Sequence, residues 1–209
     1  MQSKSEAIDE LRSGALLLIV TLILVLIATI TVLIYSALEP ELLTPFLHMP
    51  QLSLYNFGDI LAITFTGAIL AIPGYWNFRE GFKTLANLGY IGANLFFISL
   101  GLIISAEIIA YFSLMVISML SSATSAHRVF LGSLIAALIG LMLLIISNTL
   151  VGIGFFKVGD SYSRSMTKSG GILMIVGAML TFLIPLIAAV IFLIGLILIY
   201  VDLGQAPLT

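Results

Sequence analysis

Residues 14–37 read GALLLIVTLILVLIATITVLIYSA, and no charge interrupts the chain from Ser13 to Leu38. A helix needs about 20 largely apolar residues to cross a hydrocarbon layer roughly 30 Å thick. Backbone amides find no water in lipid, so only helices or closed barrels cross it. Barrel strands would alternate apolar and polar residues over segments of about 10. This stretch is continuously apolar, which selects a transmembrane helix. It outlasts the 7–15-residue apolar region of a signal peptide, and no A-x-A-like site closes it, so the expectation is a retained anchor.

The rest of the chain repeats the pattern. Apolar runs follow at Ile60–Phe78, at Gly89–Leu120 with Glu107 as the one charge inside, at Val129–Phe156, and at Gly171–Val201 around Pro185. Of 209 residues, 61% are hydrophobic and 9% charged, and the mean hydropathy is +1.24. Soluble domains carry about a quarter charged residues. These figures exclude a cytosolic enzyme, a nucleic-acid binder and a disordered tail. The chain has no cysteine, which removes disulfides, thiolate metal sites and cysteine nucleophiles. The formal charge of -2 is too small to specify a charged partner.

Lysine and arginine favour the cytoplasmic side of short loops. Lys4 and Arg12 precede the first run, Arg79 and Lys83 separate the second from the third, and Lys157, Arg164 and Lys168 separate the fourth from the fifth. Arg128 alone falls opposite. With the N-terminus inside, seven of the eight basic residues share one face. The fifth run would reach about 46 Å as a single helix. It is either one tilted span kinked near Pro185 or two half-spans turning at Leu183-Ile184-Pro185; one span, with an extracytoplasmic C-terminus, is the preferred reading. The expected architecture is therefore an all-α transmembrane bundle of five spans, the last kinked or broken at Pro185. Residues 1–209 form a single integral membrane domain.

Few side chains offer chemistry. Glu107 is an ionisable group inside a membrane run, by default a functional hypothesis, yet counting from Gly89 also places it near the outer boundary. Asn94 and Asn148 sit at similar depth and are positioned to hydrogen-bond across a helix contact, worth about 1 kcal/mol; a ligand or transport site is the other reading. Gly132, Ala136 and Gly140 recur every four residues, as do Gly67 and Ala71, and such small-residue rows let helices approach closely in lipid. Trp76 beside Arg79 and Lys83, together with Lys157, Arg164 and Lys168, suits the headgroup layer. His48 and His127 lack the spaced partners of a metal site. No nucleophile–base arrangement, phosphate loop or haem-ligand pair is present, so neither enzyme activity nor a cofactor is expected.

Two stretches facing the cytoplasm carry a family likeness. Phe78-Arg79-Glu80-Gly81-Phe82 follows the second run. Gly154-Phe155-Phe156-Lys157-Val158-Gly159-Asp160-Ser161-Tyr162 leads to Ser169-Gly170-Gly171-Ile172-Leu173, where a short amphipathic extension of the fourth helix is expected to end at Gly170-Gly171. With the opening Leu11-Arg12-Ser13-Gly14-Ala15-Leu16-Leu17, the chain resembles an archaeal multispanning membrane family known as a domain of unknown function. The resemblance implies a helical bundle in an archaeal plasma membrane and carries no catalytic residue with it. The function expected is a non-enzymatic membrane subunit or self-associating scaffold, whose partners are the bilayer and a membrane protein or further copies of itself. The alternative is a small ion or proton channel or transporter built on Glu107.

Overall fold

The computed structural model describes residues 4–38, 54–89 and 127–205. They form five helices and, among the described residues, no strand: α1 (Lys4–Leu38), α2 (Leu54–Asn87), α3 (His127–Ser161), α4 (Ser165–Leu180) and α5 (Pro185–Gly204). Three segments within these helices are long and apolar enough to cross a membrane, Lys4–Thr31, Leu138–Ser161 and Pro185–Gly204. Apolar residues surround each helix rather than following one stripe, as expected for helices without a water-facing side.

Helices whose backbones approach one another run antiparallel, while α2 and α3 run parallel. Leu11 of α1 meets Gly81 of α2, and Leu18 meets Gly74, so the start of α1 lies beside the end of α2. Around the bundle the order of contact is α2, α1, α5, α4, α3. Aromatic side chains close the remaining gap: Phe155 of α3 packs edge-on against Phe78 and Phe82 of α2, with ring centroids 4.9 and 5.0 Å apart. All three rings are buried, together with Leu11, Leu85, Met174, Leu196 and Ile199. Where large rings separate α2 from α3, glycines bring α4 close to both its neighbours. A Cβ on Gly170 would fall 2.6 Å from the Gly195 carbonyl oxygen of α5, and one on Gly171 would fall 2.6 Å from the Gly152 carbonyl oxygen of α3. Backbone therefore meets backbone on two sides of α4.

The run Gly171–Val201 is not one span. It breaks after Leu180 and reverses through residues 181–184 into α5. Gly170 faces Gly195 and Gly177 faces Ala188, which defines an antiparallel hairpin. Pro185 explains the break: it lacks an N–H to continue a helix and drives the preceding residue out of the helical region. Ile184 accordingly has φ -141° and ψ 75°, and Pro185 opens α5, the position where its missing donor costs nothing. Thr181 closes α4 by donating its hydroxyl to the Gly177 carbonyl at 3.0 Å.

Two expectations are corrected as a result. The preferred single span gives way to the hairpin, and the C-terminal end of α5 lies beside Arg12 near the start of α1, at the same end of the bundle rather than the opposite one. The expected helical extension past Tyr162 is also replaced. The chain turns at residues 162–164, with Ser163 in the left-handed region at φ 54°, and Arg164 N–H donates to the Gly159 carbonyl at 2.8 Å. Gly170 and Gly171 then lie inside α4 and serve close packing rather than helix termination.

Candidate functional site

The antiparallel order collects the start of α1 and α4 and the end of α2, α3 and α5 at one end of the molecule, and most of the charge goes with them. The centre of this end is a buried exchange between α4 and α5. Arg164, the residue before α4, provides no side-chain cap to its own helix. Asp202 of α5 takes that place: its Oδ2 accepts the Thr167 backbone N–H and the Thr167 hydroxyl, each at 2.7 Å. A carboxylate here satisfies an orphan donor of the first turn and complements the helix dipole. The exchange runs both ways, because the Arg164 guanidinium donates to the Asp202 and Gln205 carbonyls at the end of α5, the second bond at 3.0 Å. Its Nη1 also stands 3.9 Å from Asp202 Oδ1. The Arg164 and Asp202 side chains are 12% and 10% exposed.

Other charges surround this centre. Arg79 pairs with Glu80 at 2.6 Å and lies over the Trp76 ring at 5.0 Å, while Lys83 reaches the other Glu80 oxygen at 3.4 Å. Lys168 pairs with Asp160 at 2.5 Å and covers Phe156. Lys4 sits over Tyr162, and Arg12 sits over Tyr200 with 4.8 Å to its ring centroid. Trp76 and Lys157 are exposed. Trp76, Arg79, Lys83, Lys157 and Lys168 therefore cluster on the periphery of one end, whereas Arg164 is directed inward to the hairpin. Among the described residues no group of three or more His, Asp or Glu side chains is placed to hold a metal ion.

Deeper in the bundle, Tyr75 donates its hydroxyl to Asn148 Oδ1 at 2.9 Å. Asn148 thus bridges two helices, with a phenol as its partner. Asn94 and Glu107 lie outside the described residues. Of the small-residue rows, Ala71 and Gly140 are buried, while Gly67 and Ala136 with Gly132 fall on α2 and α3 where the side-chain surroundings lie outside the described residues. Close contacts also form at Gly14, Gly74 and Gly81 between α1 and α2, and at Gly152, Gly159, Gly170, Gly171, Gly177 and Gly195 around α4.

Sequence reading overlooked the Arg164–Asp202–Thr167 cluster because a single fifth span separates Asp202 from Arg164 by the bilayer. A signal was available: Asp202 is the first charge after the last apolar run, and Pro185 marks the reversal that returns it to the basic side.

The described residues define a helical bundle with apolar helices able to cross a membrane and a charged cap at one end. The chain belongs to the family described as "Protein of unknown function (DUF973)", whose model matches residues 4–207. Comparison with curated proteins and with solved structures found no match.

Proposed function

We propose that the chain is a multispanning protein of an archaeal plasma membrane, its charged end facing the cytoplasm. It serves there as a non-enzymatic accessory subunit or self-associating scaffold. The observation that carries this reading is the division of its surface. Ile27, Ile34, Met142 and Ile187 are each more than half exposed along the sides of the bundle, a pattern water penalises and acyl chains accept. Seven of the eight basic residues gather at one end, where a cytoplasmic headgroup layer attracts them. Both termini of the described bundle then face the cytoplasm. The charged side chains serve in helix caps, ion pairs and lipid anchoring, and the reading assigns them no catalytic step.

The test is native mass spectrometry of the protein extracted gently from its own membranes at native abundance. A stoichiometric foreign subunit supports the accessory role, and a defined homo-oligomer supports the scaffold. A bare monomer sinks both. Release of the chain by an alkaline carbonate wash would sink the membrane assignment itself.

A further inference from the structure

We infer that Arg12 holds the phosphate of a membrane lipid where the start of α1 meets the end of α5, an inference that rests on the membrane reading above. Arg12 is the last charge before the uncharged stretch Ser13–Leu38. Across from it, α5 returns from its own uncharged run at Asp202. The two helices reach the same boundary, and the guanidinium lies at that level.

The guanidinium lies between two features of α5. Its Cζ stands 4.8 Å from the Tyr200 ring centroid. A Cβ on Gly204 would lie 2.9 Å from Cζ and from Nη2, so a larger residue there would push the guanidinium from this position. Arg12 is half-buried, and its Nε is shut away with no hydrogen-bond partner among the described residues. No carboxylate of those residues lies within ion-pair distance of it. Asp202, the acid brought to this end by α5, is already occupied by Thr167 and Arg164.

A half-buried cation with no counter-charge among the described residues is costly, and a planar fork of N–H donors matches an oxyanion with two acceptors. Phosphate has that chemistry, and at the bilayer boundary it arrives on lipid headgroups. Tyr200 adds a ring that supports the guanidinium. A soluble phosphate offers the same oxygens, so the experiment must separate the two sources.

Full-length protein in detergent is titrated with phosphatidylglycerol and followed by native mass spectrometry. Wild type should retain one tightly held lipid, and Arg12→Gln should lower its occupancy about tenfold, the effect of losing a charge-assisted pair. Lys4→Gln removes one positive charge at the same end and should leave occupancy unchanged. Gly204→Ala provides a second route, because its methyl displaces the guanidinium while keeping the charge; it too should lower occupancy. Millimolar inorganic phosphate should not displace the lipid. Unchanged occupancy in both Arg12→Gln and Gly204→Ala overturns the inference. Displacement by inorganic phosphate overturns the lipid as the source. Failure of the membrane reading is seen separately, as release of the chain from membranes by carbonate.

Discussion

Asp202 caps a helix to which it does not belong: its carboxylate accepts both the backbone N–H and the hydroxyl of Thr167, 35 residues earlier in the chain, each at 2.7 Å. Arg164 returns the contact by donating to carbonyls at the end of the Asp202 helix. Each helix of the α4–α5 hairpin therefore satisfies terminal groups that the other leaves open. The hairpin is locked at its base, at the end opposite its apolar turn.

Removing Asp202 should consequently cost more than one hydrogen bond. Asp202→Ala leaves the Thr167 N–H uncapped and the Arg164 guanidinium without its acid, an expected loss of about 3 kcal/mol. Thr167→Val removes only the hydroxyl bond and should cost about 1 kcal/mol. Thermal unfolding in detergent checks the order. Because the two residues share one contact, the double variant should be milder than the sum of the singles; strict additivity would deny the coupling.

The hairpin also fixes the relative placement of the ends. The chain has no cysteine, so single cysteines give unambiguous labels. Asp9→Cys and Gln205→Cys, both at exposed positions, should react with a membrane-impermeant maleimide from the same side of sealed vesicles. Labelling of the two from opposite sides would restore a single crossing for residues 171–201.

How much of this was legible follows from what each feature depends on. The membrane-helix character of Gly14–Ala37 needs only an unbroken apolar run, a local property, and the gathering of Lys4, Arg12, Arg79, Lys83, Lys157, Arg164 and Lys168 follows from their spacing between runs. Whether Pro185 kinks a helix or reverses it depends on what the two halves pack against. That decision lies with Gly170, Gly177 and Gly195, whose small size matters only once α4 and α5 face each other. Asn148 illustrates the same limit: its need for a polar partner is legible in the sequence, whereas its bond with Tyr75 depends on how α2 lies against α3.

The Tyr75–Asn148 bond should contribute modestly. Tyr75→Phe keeps the ring and removes the donor, so the expected loss is about 1 kcal/mol, the usual scale for a hydrogen bond between membrane helices. A loss above about 3 kcal/mol in the same unfolding assay would mean that the hydroxyl has a further structural task.

The glycine seams should be the least tolerant part of the fold. At Gly170 an added methyl meets the Gly195 carbonyl oxygen at 2.6 Å, and at Gly171 it meets the Gly152 carbonyl oxygen at the same distance. Backbone cannot rotate aside as a side chain can, so α4 must move away from its neighbour along its whole length. Gly170→Ala and Gly171→Ala should each destabilise by about 1–3 kcal/mol, the scale of overpacking, although alanine has the higher helix propensity. Met179→Ala on the same helix is the contrast, since Met179 is 62% exposed and its loss leaves packing intact. Lipid association drives helices together through close contact rather than through exclusion of water, so parting α4 from α5 by even a methyl removes attraction at every turn of the seam. If Gly170→Ala unfolds at the wild-type temperature while Met179→Ala does not, the close approach of the two backbones is wrong.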